Sequence, residues 1–88
     1  MAFDPQKAYR LDPKVALRPE PFGALAYHYG NRRLLFLKSK QLVEVLDQLA
    51  HHESAEAAVA SVTKSHTNRA VLLKALTNLA TTGIIGAR

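Results

Sequence analysis

The sequence predicts an α+β fold in which a three-stranded antiparallel sheet is followed by three helices (β-β-β-α-α-α). Three observations predict it. Strand-forming residues concentrate in 15–38, punctuated by prolines and a Gly-Asn step. From residue 40 onward, apolar residues recur at the three- and four-residue spacing of a helix face. Eighty-eight residues, 48% of them hydrophobic, suffice for one modest core and not for two.

Residues 1–14 (MAFDPQKAYRLDPK) show no periodicity and contain two Asp-Pro steps. A residue before proline is pushed out of the helical region. The segment is therefore expected to be an extended, flexible arm, with the folded domain running from 15 to 88. Val15, Ala16, Leu17 and Arg18 make a short strand that stops at Pro19-Glu20-Pro21, because proline donates nothing to a sheet ladder.

The hairpin follows. Segments 23–29 (GALAYHY) and 32–38 (RRLLFLK) flank Gly30-Asn31, a two-residue turn able to take positive φ. This turn sets Tyr29 opposite Arg32, Tyr27 opposite Leu34 and Leu25 opposite Phe36. One face then carries Leu25, Tyr27, Leu34 and Phe36, and the other Ala24, Ala26, His28, Arg33, Leu35 and Leu37. Both faces are apolar, which a half-covered sheet should not be. One must pack on the helices; the other awaits the arm, a second subunit or a ligand. Which face is which stays open, since a slip of one residue exchanges them.

Ser39 suits the N-cap of a helix over about 40–50, with Leu42, Val45, Leu46 and Leu49 on one stripe. His51, His52 and Glu53 connect it to an Ala-rich helix capped by Ser54 and reaching Val62. Its small side chains suit a helix held between two others. After Lys64-Ser65-His66, Thr67 is the expected cap of a third helix to about Thr82, with Leu72, Leu76 and Leu79 inward and Gly83 as the residue that ends it. Ile84 and Ile85 are expected to fold back on the core. The order is winged helix-turn-helix-like, and the last two helices have helix-turn-helix proportions.

Several function classes fall away. There is no cysteine, hence no disulfide, thiolate metal site or Cys nucleophile. No apolar run approaches the roughly 20 residues of a membrane helix, and the charged N-terminus has no secretory core, so a cytoplasmic protein away from membranes is expected. His51-His52, with Asp47 one turn before, falls short of the ligand set a transition metal needs. No phosphate loop, nucleophile elbow or carboxylate pair is present, and neither an enzyme nor a bound cofactor is expected.

The charge points to binding. Residues 1–40 carry eight Lys and Arg against three acids, whereas 41–88 hold four of each, so the whole net charge of +5 resides in the arm and sheet. That asymmetry suits an anionic partner. In a DNA-binding reading the third helix would present Asn68, Arg69, Lys74 and Asn78, with Lys64 and His66 before it. The half of the chain that contains this helix is neutral, which disfavours nucleic acid. In a peptide-binding reading an extended ligand adds a strand beside 32–38, in the groove between that edge and the third helix. Arg32, Arg33 and Lys38 would attract acidic residues of the ligand, and Leu35 or Leu37 apolar ones. Taken singly, these are also the residues of an ordinary strand with charged ends.

LRPEPFGALAYHYGNRRLLFLKS, followed by LVEVLDQLAHH and the pattern AL--LA--G-I, resembles the mycofactocin precursor-peptide chaperones. These are similar to the peptide carrier of pyrroloquinoline quinone biosynthesis (PqqD-like) and to the peptide-recognition elements of ribosomal peptide modification. The likeness covers about residues 15–85 and is most specific from Leu17 to Ser39. It implies a non-catalytic protein of winged helix-turn-helix fold. Such a protein would bind the leader of a precursor peptide as an added strand against the third strand and third helix, and present it to a radical S-adenosylmethionine (SAM) maturase. Carried onto this sequence, the strand is Arg32, Arg33, Leu34, Leu35, Phe36, Leu37 and Lys38. Helical phase adds Arg69, Leu73 and Leu76. Relatives often carry Asp-Gly between the first two helices, where this chain has His51-His52-Glu53-Ser54, a change of turn and not of groove. An edge left open for a ligand also invites self-pairing, so a homodimer of the free protein is a further expectation.

Overall fold

The computed structural model describes residues 3–88. Strands β1 (Tyr9–Leu11), β2 (Val15–Glu20), β3 (Gly23–His28) and β4 (Arg33–Leu37) come first. Helices α1 (Lys40–Gln48), α2 (Ala55–Val62) and α3 (His66–Thr81) follow, and a last strand, β5 (Ile85–Ala87), closes the chain. A single 3₁₀ turn, Leu49–His51, extends α1. The predicted three-stranded antiparallel sheet is present in the order β2-β3-β4, with three helices after it. A second, two-stranded sheet, β1-β5, was not expected.

The hairpin register is as the sequence dictates: Leu25 pairs with Phe36 and Tyr27 with Leu34. The turn differs. Pairing ends at His28 and Arg33, so four residues make the connection, and the positive φ falls on Arg32 (60°) and not on Gly30 or Asn31. Side-chain bonds hold this turn. Nδ1 of His28 accepts the N–H groups of Gly30 (3.0 Å) and Asn31 (3.3 Å), and Oδ1 of Asn31 accepts that of Arg33 (2.9 Å). Nε2 of the same ring faces Oδ1 of Asp12 at 3.9 Å.

Alternation along the hairpin decides which face is covered. Ala24, Ala26, His28 and Leu37 are buried and Leu35 is half-buried, whereas Tyr27, Leu34 and Phe36 on the opposite face are exposed. The small Ala24 and Ala26 side chains let the helices lie close against the sheet, and β3 and β4 both pack on α1. The core contains Val45, Leu49, Val59, Leu76 and Ile84, each almost wholly removed from water. Burial of such side chains, at roughly 25 cal/mol per Å² of apolar area, is the main force joining sheet to helices.

Each helix starts on a serine. Oγ of Ser39, Ser54 and Ser65 accepts the N–H of Leu42, Ala57 and Asn68 respectively, satisfying one orphan donor of each first turn. The cap of α3 is thus Ser65, two residues before the expected Thr67, which lies inside the first turn. At the other end Gly83, with φ of 83°, reverses the chain. The N–H of Ile84 then bonds the carbonyl of Leu79 (2.9 Å) and that of Gly83 bonds Ala80 (3.3 Å), a Schellman motif that delivers Ile84 and Ile85 to the core.

The N-terminal segment, expected as an extended arm, makes contacts with the domain. Met1 and Ala2 of the expected arm lie outside the described residues. Beyond them the segment is bound to the domain: Tyr9 is 6% exposed, its hydroxyl accepts the N–H of Asp4 (2.8 Å), and its ring stacks on Phe3. The carbonyls of Lys7 and Pro5 take the N–H groups of Ala55 and Glu56, the first two residues of α2. β1 pairs with β5 through Tyr9–Ala87, Arg10–Gly86 and Leu11–Ile85. The Asp-Pro steps do keep the segment extended, and extended backbone is what a strand pairing requires. The ordered unit therefore begins before residue 15.

Candidate functional site

The three-stranded sheet has two outer strands, and their sequences treat those edges differently. β2 contains Pro19, which has no N–H to offer a neighbour, and Pro21 follows directly. Its exposed Arg18 and half-buried Glu20 form an ion pair (3.1 Å) along the same edge. Proline, which removes a donor from the outward row of backbone groups, is a usual means of closing an edge strand to further pairing. β4 carries no proline. Among the described residues it bonds β3 on one side only, and the backbone groups of its other side have no strand partner. β4 is the open edge.

The ends of that edge are basic. Arg32 and Arg33 are exposed at its start, Lys38 and Lys40 at its finish. Among the described residues neither ion pair of the chain involves these four, so their charge faces solvent and favours an anionic ligand. Between them Leu34 and Phe36 are 56% and 60% exposed, whereas Leu35 is half-buried against the core. Phe36 meets Phe22 edge to face, ring centroids 6.1 Å apart, and the two rings with Lys38 line a shallow cleft of about 260 Å³ beside the edge.

The sequence-derived candidates therefore divide. Arg32, Arg33, Leu34, Phe36 and Lys38 are accessible along β4, and Leu35 in part. Leu37, 3% exposed, belongs to the core, as does Leu76, which is wholly buried. A ligand reaches neither side chain on this surface. Leu73 is half-buried against the core. Arg69 is engaged locally, its Nε donating to the carbonyl of Thr63 (3.1 Å) ahead of the helix. α3 buries Leu72, Leu76 and Leu79 together, so that Leu76 lies inside the stripe and not at its flank.

That use of Arg69 also bears on the DNA-binding alternative. With its guanidinium turned back to Thr63, Lys74 is the one fixed cation that α3 itself holds toward solvent. A major-groove helix needs several phosphate and base contacts, and this helix is poorly equipped for them.

Phe22 was not among the sequence candidates. Its position just after Pro21 marks it as the corner between β2 and β3. The alternation of small residues at 24 and 26 with larger ones at 25 and 27 was the signal that the second set faces outward. Among the described residues no group of three or more His, Asp or Glu gathers where a metal ion could be held. Nor is any helix long and apolar enough to cross a membrane.

The comparisons with known proteins agree with a binding role. The family described as "Peptide chaperone MftB family" matches residues 8–86, which takes in β1 as well as the sheet and helices. A peptide chaperone MftB of Mycolicibacterium smegmatis is 46% identical over 76 residues, covering 86% of this chain and 74% of that protein. One from Mycobacterium ulcerans is 44% identical over 79 residues, covering 90% of this chain and 72% of that protein. One from Mycobacterium tuberculosis is 50% identical over 56 residues, covering 64% and 51%. No solved structure matches.

Proposed function

The chain belongs to the peptide chaperone MftB family, a family of binding proteins and not of enzymes, and on that premise we propose that it captures the leader of a ribosomally made precursor peptide by strand addition at β4. The leader would lie antiparallel or parallel to Arg33–Leu37, its backbone satisfying the unpaired groups of the edge. Arg32, Arg33 and Lys38 would attract acidic leader residues at the two ends, and Leu34, Leu35 and Phe36 would meet alternate apolar ones. Leu73 and Arg69 of α3 would form the far wall of the groove. Held this way, the peptide is presented to a radical SAM maturase in mycofactocin biosynthesis. The chaperone contributes tethering, which raises the effective concentration of the reacting end, and no chemistry.

The observation that carries the reading is the contrast between the two sheet edges. Prolines close β2 to a further strand, whereas β4 has none and is flanked by cations that suit an anionic ligand. An edge with unpaired backbone groups is a ready template for an added strand.

Calorimetric titration with synthetic leader peptide tests it, using two sets of N-methylated analogues. In an added strand only alternate amides donate to the protein edge. Methylating one set should reduce affinity by about thirtyfold or more, from loss of two or more main-chain bonds, while methylating the other changes little. Equal tolerance of both sets would rule out strand addition.

A further inference from the structure

We propose that the outer face of the β2-β3-β4 sheet is a second docking surface, which receives an acidic-rimmed apolar patch on the maturase while the β4 edge holds the leader. The inference rests on the proposed function and names the surface through which presentation occurs.

The distribution of exposed apolar side chains comes first. Of the six large hydrophobic residues exposed among the described residues, Phe22, Tyr27, Tyr29, Leu34 and Phe36 lie together on this face, and Val71 lies elsewhere. They are organised and not scattered. Phe22 packs edge to face on Phe36, and Tyr27 lies against Tyr29 with centroids 5.8 Å apart. Leu34 sits between, opposite Tyr27 in the register. An apolar patch of this kind on a small domain marks an interaction site. Rigid aromatic side chains are what the centre of an interface uses, since little rotamer entropy is lost on docking.

No described part of the chain covers the face. Phe3 to Leu11 is bound at the opposite side of the domain, with β5 and the start of α2. Charge then selects the occupant. Around this face lie Arg18, Arg32 and Lys38 against one carboxylate, Glu20, which Arg18 already engages, while Arg33, paired with His28, alternates onto the side of the helices. A second copy would set this cationic rim against itself, whereas a partner with carboxylates around apolar anchors is matched in both respects. The face offers two phenolic hydroxyls and no amide among its large side chains, which is little with which to read the edges of nucleic-acid bases. The cleft between Phe22 and Phe36, with Lys38 at its margin, suits an apolar side chain next to a carboxylate.

Tyr27→Ser and Arg18→Glu, both outside β4, provide the test. Each variant and the wild-type chain are titrated separately with purified maturase and with leader peptide, folding being checked by amide spectra. Both substitutions are expected to weaken maturase binding by about tenfold or more, and Arg18→Glu to flatten its salt dependence. Leader affinity is expected to stay within about twofold, because neither Tyr27 nor Arg18 lies on β4. Should Tyr27→Ser unfold the domain, the exposed Arg18→Glu alone decides. Unchanged maturase affinity in the folded variants overturns the proposal. So does self-association, or binding of a single-stranded oligonucleotide, that the same variants abolish while maturase binding persists. If wild type binds leader but not maturase, this surface and the presentation half of the function both fail. If it binds maturase through Tyr27 and Arg18 but not leader, the surface stands and strand addition fails.

Discussion

The carbonyl oxygen of Leu37 occupies the space that a side chain on Gly23 would need: a Cβ built on Gly23 falls 2.1 Å from it. The same glycine has φ of 147°, a conformation closed to other residues. The first residue of β3 and the last of β4 therefore meet backbone to backbone, and that contact fixes where the open edge ends and α1 begins.

Gly23→Ala should consequently destabilise the domain by about 3 kcal/mol or more, combining backbone strain with an overlap that must be relieved by moving β4. Urea unfolding measures it. A midpoint within error of wild type would mean that β3 and β4 separate at this corner without loss.

Leu76→Ala distinguishes a core residue from a groove residue. Buried at the centre of the α3 stripe, it should cost about 2–5 kcal/mol of stability. Leader affinity of the folded fraction should nonetheless remain near wild type. A variant of normal stability that binds leader poorly would return Leu76 to the binding surface.

The start of α3 can be located by a pair of substitutions. Ser65→Ala removes the side-chain acceptor of the Asn68 N–H and should cost about 1 kcal/mol, whereas Thr67→Ala, inside the first turn, should be close to neutral. Thermal melts of both variants decide it. The reverse ranking would place the cap at Thr67.

Tyr9→Ala probes the attachment of the arm. Its buried ring and its hydroxyl bond to Asp4 predict a loss of about 3 kcal/mol or more. Amide exchange should rise in β5 as well as β1, because the two strands pair only with each other. An arm that merely rests on the surface would give neither effect.

The sheet was legible in the sequence because short-range features determine it. Alternation in 23–28 and 33–37 and the short connection between them leave one register that pairs Leu25 with Phe36. The turn detail was less legible, since Gly30-Asn31 suggested two residues where four are used and Arg32 takes the left-handed conformation. β1 and β5 escaped notice for a different reason. Three residues are too few to show periodicity, and their partner strands come from opposite ends of the chain, so no local pattern announces the pairing. Ser65 and Thr67 are both acceptable caps, and only the fold chooses between them. The candidate site was readable as a strand with basic ends. That its edge is open, and that its neighbour Phe22 borders it, follows only from the strand order.

The unequal edges of the three-stranded sheet also set an arithmetic for assembly. A unit with two receptive edges can be joined at both and grow without limit; a unit with one can be joined once. With Pro19 on one side, the sheet has valence one. Chains that meet through β4 stop at pairs, and fibres built by repeated strand pairing of this sheet have no second point of attachment. A leader bound there as proposed would therefore compete with a second copy for the same edge.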